Sequence, residues 1–269
     1  MRLATILTLL LTLAACTRPA APTRGGIVST NPCADQILVS LVEPERIAAI
    51  SHYSKDPAAS SLPPEVARRY RATSGTAEEV IALRPDLVVT STFTPAATRA
   101  AYERAGLKVL LLDSPTTVAG SKAQIMELAR AVDRPGRGQA LVARIDEALA
   151  ATAPHDAARP SALLYISGDL VTGRNTLLDE LMTHVGLRDA AADYGLSHTG
   201  RLPLETILEA PPQLIMAPEF STRASAIRSR VLTYRTRQAV FPRTLVNCGG
   251  PTIVPAVEQL AAIRRQILQ

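Results

Sequence analysis

Few side chains in this chain could do chemistry, and they are scattered. The strong metal ligands and bases are four histidines, His52, His155, His184 and His198, and three cysteines, Cys16, Cys33 and Cys248. A zinc or manganese site needs three or four His, Asp or Glu donors converging on one point. His52 and His198 fall in loops, but His155 sits in a Pro-bounded stretch and His184 in a helical one, and no His-rich loop occurs. Ser167, Asp169 and His184 can be set out as a nucleophile–base set, yet nothing in their spacing calls for one. The G-x-S-x-G elbow, the G-x-x-x-x-G-K-[ST] phosphate loop, H-E-x-x-H and G-x-G-x-x-G are all missing. These absences turn attention from catalysis toward binding, with binding of a bare zinc or manganese ion and catalysis as the competing readings.

Two glutamates stand out by position instead. Residues 78–89 read E-E-V-I-A-L-R-P-D-L-V-V and residues 205–216 read E-T-I-L-E-A-P-P-Q-L-I-M, each with Glu first and Pro in eighth place. Pro85 and Pro212 disfavour helix in the residue before them, which ends a short amphipathic helix. The apolar runs after them fit buried parallel strands. Each copy is a helix–turn–strand unit. Their wide separation excludes a solenoid, whose units are roughly 20–50 residues, and indicates two similar α/β lobes with a ligand site between them.

The elements around these copies follow the same alternation. Strands are expected at 27–29, 47–50, 108–112, 162–166 and 244–246, and helices at 36–41, 64–70, 96–105, 176–185, 223–238 and 255–268. Asn31 and Pro32 are well placed to cap and open the first helix. Residues 119–153 contain no strand-like run and read as a linking helical segment with a break at 133–138. The expected fold is α/β, with two lobes of mostly parallel sheet joined by a long rigid spine helix. The boundaries are a signal segment at 1–16, a linker at 17–26, lobes at 27–118 and 154–269, and the helical segment 119–153 between them.

Composition narrows the function further. The net charge of +5 is mild and carried almost wholly by Arg, with Lys only at Lys55, Lys108 and Lys122. Neither a dense basic run nor a nucleic-acid motif is present. Aromatics are scarce, with six Tyr, three Phe and no Trp. The N-terminus pairs a charged start with an apolar run, Leu3–Leu13, too short for a typical span of about 20 residues. It fits an export signal, and Leu13-Ala14-Ala15-Cys16 resembles the lipobox of bacterial lipoproteins, in which Cys16 would be acylated.

Several stretches in order then resemble one family, the substrate-binding proteins of ABC importers for iron chelates and cobalamin. They are I-V-S-T-N-P at 27–32, S-H-Y-S-K-D-P at 51–57, both glutamate-led repeats, G-L-K-V-L-L-L-D at 106–113, T-G-R-N-T-L-L-D-E-L-M at 172–182, and a Gly-Pro before the last helix. The resemblance implies a monomer that binds a metal chelate in a shallow cleft and delivers it to permease and ATPase subunits, with no cofactor and no reaction of its own. It implies that Glu78 and Glu205 face basic residues of the permease. It also places Tyr53 where a cobalamin-binding member sets a tyrosine against the corrin. The chain lacks the tryptophans of that member, so the resemblance implies the chelate class and not one chelate.

Loops that leave strand C-termini are the usual binding edge of such sheets. By that rule the further candidate contacts are His52, Ser74, Thr92, Phe93, Ser167, Thr172, Arg174, Glu219, Phe220 and Asn247. Arg174 could pair with a carboxylate or phosphate. The arginines between 223 and 237 read as a solvated helix face. In an exported protein Cys33 and Cys248 could form a disulfide between the lobes, remain buried thiols, or contact a metal-bearing ligand.

Overall fold

A parallel strand covered on both faces must be apolar throughout, and each of its neighbours must be reached through a crossover. The computed structural model, which describes residues 25–218 and 229–269, meets this condition in two sheets. In the first, β1 (Ile27–Ser29), β2 (Ile47–Ser51), β3 (Ala72–Thr73), β4 (Leu87–Ser91) and β5 (Val109–Leu112) are all parallel, in the order β3-β2-β1-β4-β5. Helices α1 (Pro32–Leu41), α2 (Pro64–Ala67), α3 (Ala77–Leu83) and α4 (Ala96–Arg104) connect them. Next come α5 (Val118–Ala131) and α6 (Pro135–Thr152). The second sheet holds β6 (Ser161–Ser167), β7 (Leu170–Val171), β8 (Arg188–Asp189), β9 (Gly200–Arg201), β10 (Leu214–Ala217) and β11 (Arg237–Val240). Its order is β11-β10-β6-β7-β9 with β8 beside β6, and only the pairings of β7 are antiparallel. Helices α7 (Leu177–His184) and α8 (Leu204–Glu209) lie within this half, and α9 (Ile253–Leu268) closes the chain.

Alternation along the strands divides the core. Leu87 and Val89 of β4, with Leu164, Leu214 and Met216 of the second sheet, belong to one continuous apolar cluster that also takes in Ile125, Ile145 and Val257 of the helices. The intervening Val28 and Val88 turn to the other face of the first sheet, against Val80 and Tyr102. Leu163, Tyr165 and Ile215 likewise turn to the outer face of the second, against Ile207. Successive side chains of a strand point to opposite faces, so each sheet has its own outer core and both share the inner one. A shared, close-packed inner core resists large movement of one lobe against the other.

The linking segment is two helices, α5 and α6, and the break between them falls at 132–134, at the start of the expected 133–138. Pro135 starts α6 because its missing N–H and fixed φ suit a first helical position, so Gly136 and Gly138 lie inside the helix and not in a break. A Cβ built on Gly138 would come within 2.5 Å of Ala129 Cβ, which shows how closely α5 and α6 approach. Gly138→Ala should therefore destabilise the protein by about 1–2 kcal/mol, overpacking outweighing the better helix propensity. Chemical denaturation of the variant checks this, and an unchanged or raised midpoint would reject the packing argument.

Two expected elements differ. The strand placed at 244–246 is a short 3-10 turn, Arg243–Leu245, introduced by Pro242. The strand occurs earlier, as β11, which begins at the last two residues of the stretch read as helix at 223–238. Its Arg-Gln-Ala composition suits a helix locally, but the unpaired edge of β10 offers a parallel partner, with Leu214 opposite Arg237. Arg235 and Arg237 are exposed, as a solvated face requires, but they are not helical: Arg237 donates to the Gln266 and Ile267 carbonyls and Arg235 to that of Leu208. Arg223 and Arg228, the signal and lipobox with Cys16, and Glu219 and Phe220 lie outside the described residues.

Candidate functional site

The C-terminal ends of the first sheet's strands form one edge, and each strand leaves it through a short polar turn. After β2 the turn His52–Lys55 is capped by Ser51, whose side chain accepts from the Tyr53 amide. The rings of His52 and Tyr53 stand 4.0 Å apart at 36°, and His52 Nδ1 lies 3.3 Å from the Thr73 carbonyl at the end of β3. Tyr53 is 53% exposed. After β4 the turn at Phe93 is held by Arg99 Nη1, which donates to the Thr92 and Thr94 carbonyls at 2.8 and 2.7 Å. Phe93 itself is 77% exposed. Beneath it Thr30, Thr90 and Thr94 join hydroxyl to hydroxyl at 2.7 Å for each step.

This turn chemistry rests on a buried acid. Asp35, in the first turn of α1, is fully buried, and its Oδ2 accepts from the Ser51 amide at 2.9 Å and from Ser54 Oγ at 2.5 Å. Its Oδ1 is buried without a hydrogen-bond partner. Burial pushes the carboxyl up to about 7, against the opposing pull of the Ser29 and Ser54 hydroxyls and the Ser51 amide. Ser74, by contrast, is committed to the fold. Its amide and hydroxyl both donate to Glu79 Oε2, at 2.7 and 2.8 Å, and with the Thr73 hydroxyl they hold Glu79 below the ordinary carboxylate range.

The two lobes meet over a groove of about 360 Å³. Its first-lobe side comes from Ile37, Asp113 and Ser114, α5 adds Gln124, and its second-lobe side comes from Thr172, Thr176, Thr199, Val246 and Asn247. Cys33 and Cys248 lie in its wall and are joined to each other, with S–S 2.10 Å and Cα–Cα 5.3 Å. Around this bond Gln36 Nε2 donates to the Gly249 carbonyl at 2.8 Å, and the Gly250 amide donates to Ser121 Oγ at 2.6 Å. A Cβ on Gly249 would fall 2.5 Å from that Ser121 Oγ, so only glycine permits the approach. Asn247 Nδ2 also reaches across, to the Ala58 carbonyl at 3.4 Å.

The structure therefore sorts the candidate residues. Asn247 and Thr172 line the groove. Tyr53, His52, Phe93, Thr92 and Ser74 sit on the exposed strand edge of the first lobe, outside the groove wall, and Ser167 ends β6 on the second lobe. Arg174 belongs elsewhere, to a separate groove of about 480 Å³ with Arg159, Arg188 and Asp189. Burial likewise pushes Asp189 up to about 6, opposed by the Ala191 amide. Asp113, Ser114, Thr116 and Gln124 were not among the candidates, although the polar run 113–117 directly after the apolar run of β5 obeys the same strand-end rule.

Asp169 Oδ1 pairs with Arg201 at 2.5 Å, and His184 Nε2 bonds the Leu149 carbonyl at 2.8 Å. Among the described residues no three His, Cys, Asp or Glu side chains come together to hold a metal ion. Glu78 and Glu205, each in the first turn of its helix, are exposed and make no side-chain hydrogen bond or ion pair among the described residues. In the E-E pair of the first copy, Glu79 fastens the loop while Glu78 points to no partner.

Two α/β lobes that share an inner core, with a groove walled by loops of both, define a two-lobed ligand-binding protein. A sequence profile described as periplasmic binding protein matches residues 27–233, and the chain belongs to that family. Membership implies a periplasmic location. No curated protein sequence matches the chain significantly. Among solved structures, it is similar to the periplasmic heme-binding protein RhuT from Roseiflexus sp. RS-1, with TM-score 0.73 and 23% identity over 91% of this chain and 100% of that one. It is also similar to the periplasmic heme-binding protein HutB of Vibrio cholerae, with TM-score 0.73 and 15% identity over 90% and 98%. A third is the periplasmic vitamin B12-binding protein BtuF of Vibrio cholerae, with TM-score 0.69 and 19% identity over 92% and 99%. All three share the two-lobed fold.

Proposed function

We propose that this chain is the substrate-binding component of an ABC importer that captures a metal chelate between its lobes, a haem, a cobalamin-type corrinoid or a ferric siderophore. The observation that carries the reading is the pair of exposed aromatic faces, Tyr53 at 53% and Phe93 at 77%, on one strand edge of a chain with six Tyr and three Phe in all. An exposed aromatic face gains by covering a flat apolar ligand, and the tyrosine hydroxyl adds a polar contact. The structural relatives named for haem and vitamin B12 support the same class. His52, Ser167 and Asn247 supply polar contacts around the ligand, whereas Ser74 and Arg174 act in the frame and on another face. The protein works as a monomer, held at the membrane by a lipid on Cys16. Titration with hemin, cyanocobalamin and a set of ferric siderophores, followed by visible absorbance, tests this. One of them should saturate at one site, and Tyr53→Ala should weaken it on the order of tenfold or more. Failure of every chelate to bind would overturn the reading.

Delivery follows from the matched glutamates. Glu78 and Glu205 present unpaired carboxylates, one per lobe, to basic residues of a permease, while ATP hydrolysis takes place in partner subunits. Each glutamate alone is also a favourable charge at a helix start, of some tenths of a kcal/mol. The occurrence at matched places in both lobes is what supports docking. Reversing both charges, Glu78→Lys with Glu205→Lys, should leave the chelate Kd unchanged and lower uptake by about tenfold or more. Uptake at the wild-type rate would count against docking there.

A further inference from the structure

The first turn of α1 is held from two sides. Asn31 caps it, its Oδ1 accepting from the Cys33 and Ala34 amides at 2.9 and 3.3 Å. On one side Cys33 is bonded to Cys248 and Gln36 donates to the Gly249 carbonyl, so two residues of this turn are fixed to one loop of the second lobe. On the other side Asp35, between them, receives the Ser51 amide and the Ser54 hydroxyl, the two groups that frame the turn bearing His52 and Tyr53. All these groups are buried or half-buried. Packing at native density leaves such a turn no room to shift without moving what it holds.

We infer that the Cys33–Cys248 bond is a positioning device for the ligand turn: by fixing the start of α1 to the second lobe, it sets the place of His52 and Tyr53 and so the affinity for the chelate. This rests on the proposed binding function and adds to it a dependence on the redox state of one bond. A dithiol reductant supplies two electrons and two protons, the S–S bond breaks, Cys33 and Cys248 become thiols, and the reductant closes to its cyclic disulfide. The start of α1 then keeps its hydrogen bond from Gln36 to the Gly249 carbonyl but loses its covalent tie to that loop. A ligand that must re-form the spacing of its two contact surfaces binds less tightly than one that meets them preset.

The test compares the oxidised protein, the protein reduced with dithiothreitol, and Cys33→Ser/Cys248→Ser, all below their melting temperatures. Two readouts are used: amide hydrogen exchange, and titration with hemin and cyanocobalamin. Reduction should speed exchange both in the loop 246–252 and at the Ser51 amide, and should raise the Kd about tenfold or more. Asp35→Asn should make exchange at residues 51–55 insensitive to reductant. Faster exchange confined to 246–252, or equal Kd in oxidised and reduced protein, would overturn the inference. If the oxidised protein binds neither probe, the choice of these ligands fails, and the Ser51 amide alone still decides whether the bond reaches the turn.

Discussion

Reduction of the Cys33–Cys248 bond should lower the free energy of unfolding by about 5 kcal/mol, the largest single effect expected from any group in the chain. The reason lies mainly in the unfolded state. The bond joins residues 215 apart, and closing so long a loop removes more chain entropy from the denatured ensemble than closing a short one. In a protein of this size the same change lowers Tm by roughly 10–20 °C. Scanning calorimetry with and without reductant, on protein carrying Cys16→Ser, measures it, and a thiol count taken after denaturation without reductant should find none. Two free thiols in that count, or melting within about 2 °C in both conditions, would remove this tie from the account.

Stability should also fall as the pH rises from about 4 to about 7, because of Asp35. Its folded-state pKa is raised from 3.8 to about 7 by burial. The folded protein therefore holds a proton that the unfolded chain gives up, and protonation favours the folded state. The contribution is fully present below the unfolded value and is lost as the pH passes through the folded one. Its size is on the order of 4 kcal/mol. Asp189, raised to about 6, adds a smaller slope of the same sign. Glu79 and Asp156 are lowered by hydrogen bonds from Ser74 and Arg264 and act the opposite way at acid pH. Urea midpoints at about pH 5 and pH 8 should differ accordingly. Asp35→Asn should flatten most of the difference. A variant with the wild-type slope would show that another group carries it.

Local patterning made much of this architecture legible. Ile27–Ser29, Leu87–Ser91 and Leu214–Ala217 read as buried strands because each opens on a run of apolar residues, and Asn31 marked a helix start through a side chain that accepts from the first turn. The glutamate-led repeat located both lobes for the same reason. Partner choice was not legible. Arg237–Val240 carries helix-forming residues and becomes a strand only because β10 leaves an edge to pair with. Ser74 looked like a loop contact, but Glu79 claims its hydroxyl. Arg174 follows a strand end as Asn247 follows a polar turn, yet only Asn247 reaches the groove.

By itself the sequence determined the alternation of strands and helices, the two-lobe plan and the exposed glutamates at 78 and 205, because these depend on residues within a few positions of one another. Only the tertiary structure decided that Cys33 meets Cys248, that Asp35 is sealed beneath the Tyr53 turn, and that Asp113 and Asn247 face one groove. Those outcomes depend on contacts between distant segments, and both sheets must be packed onto the shared inner core before any of them exists.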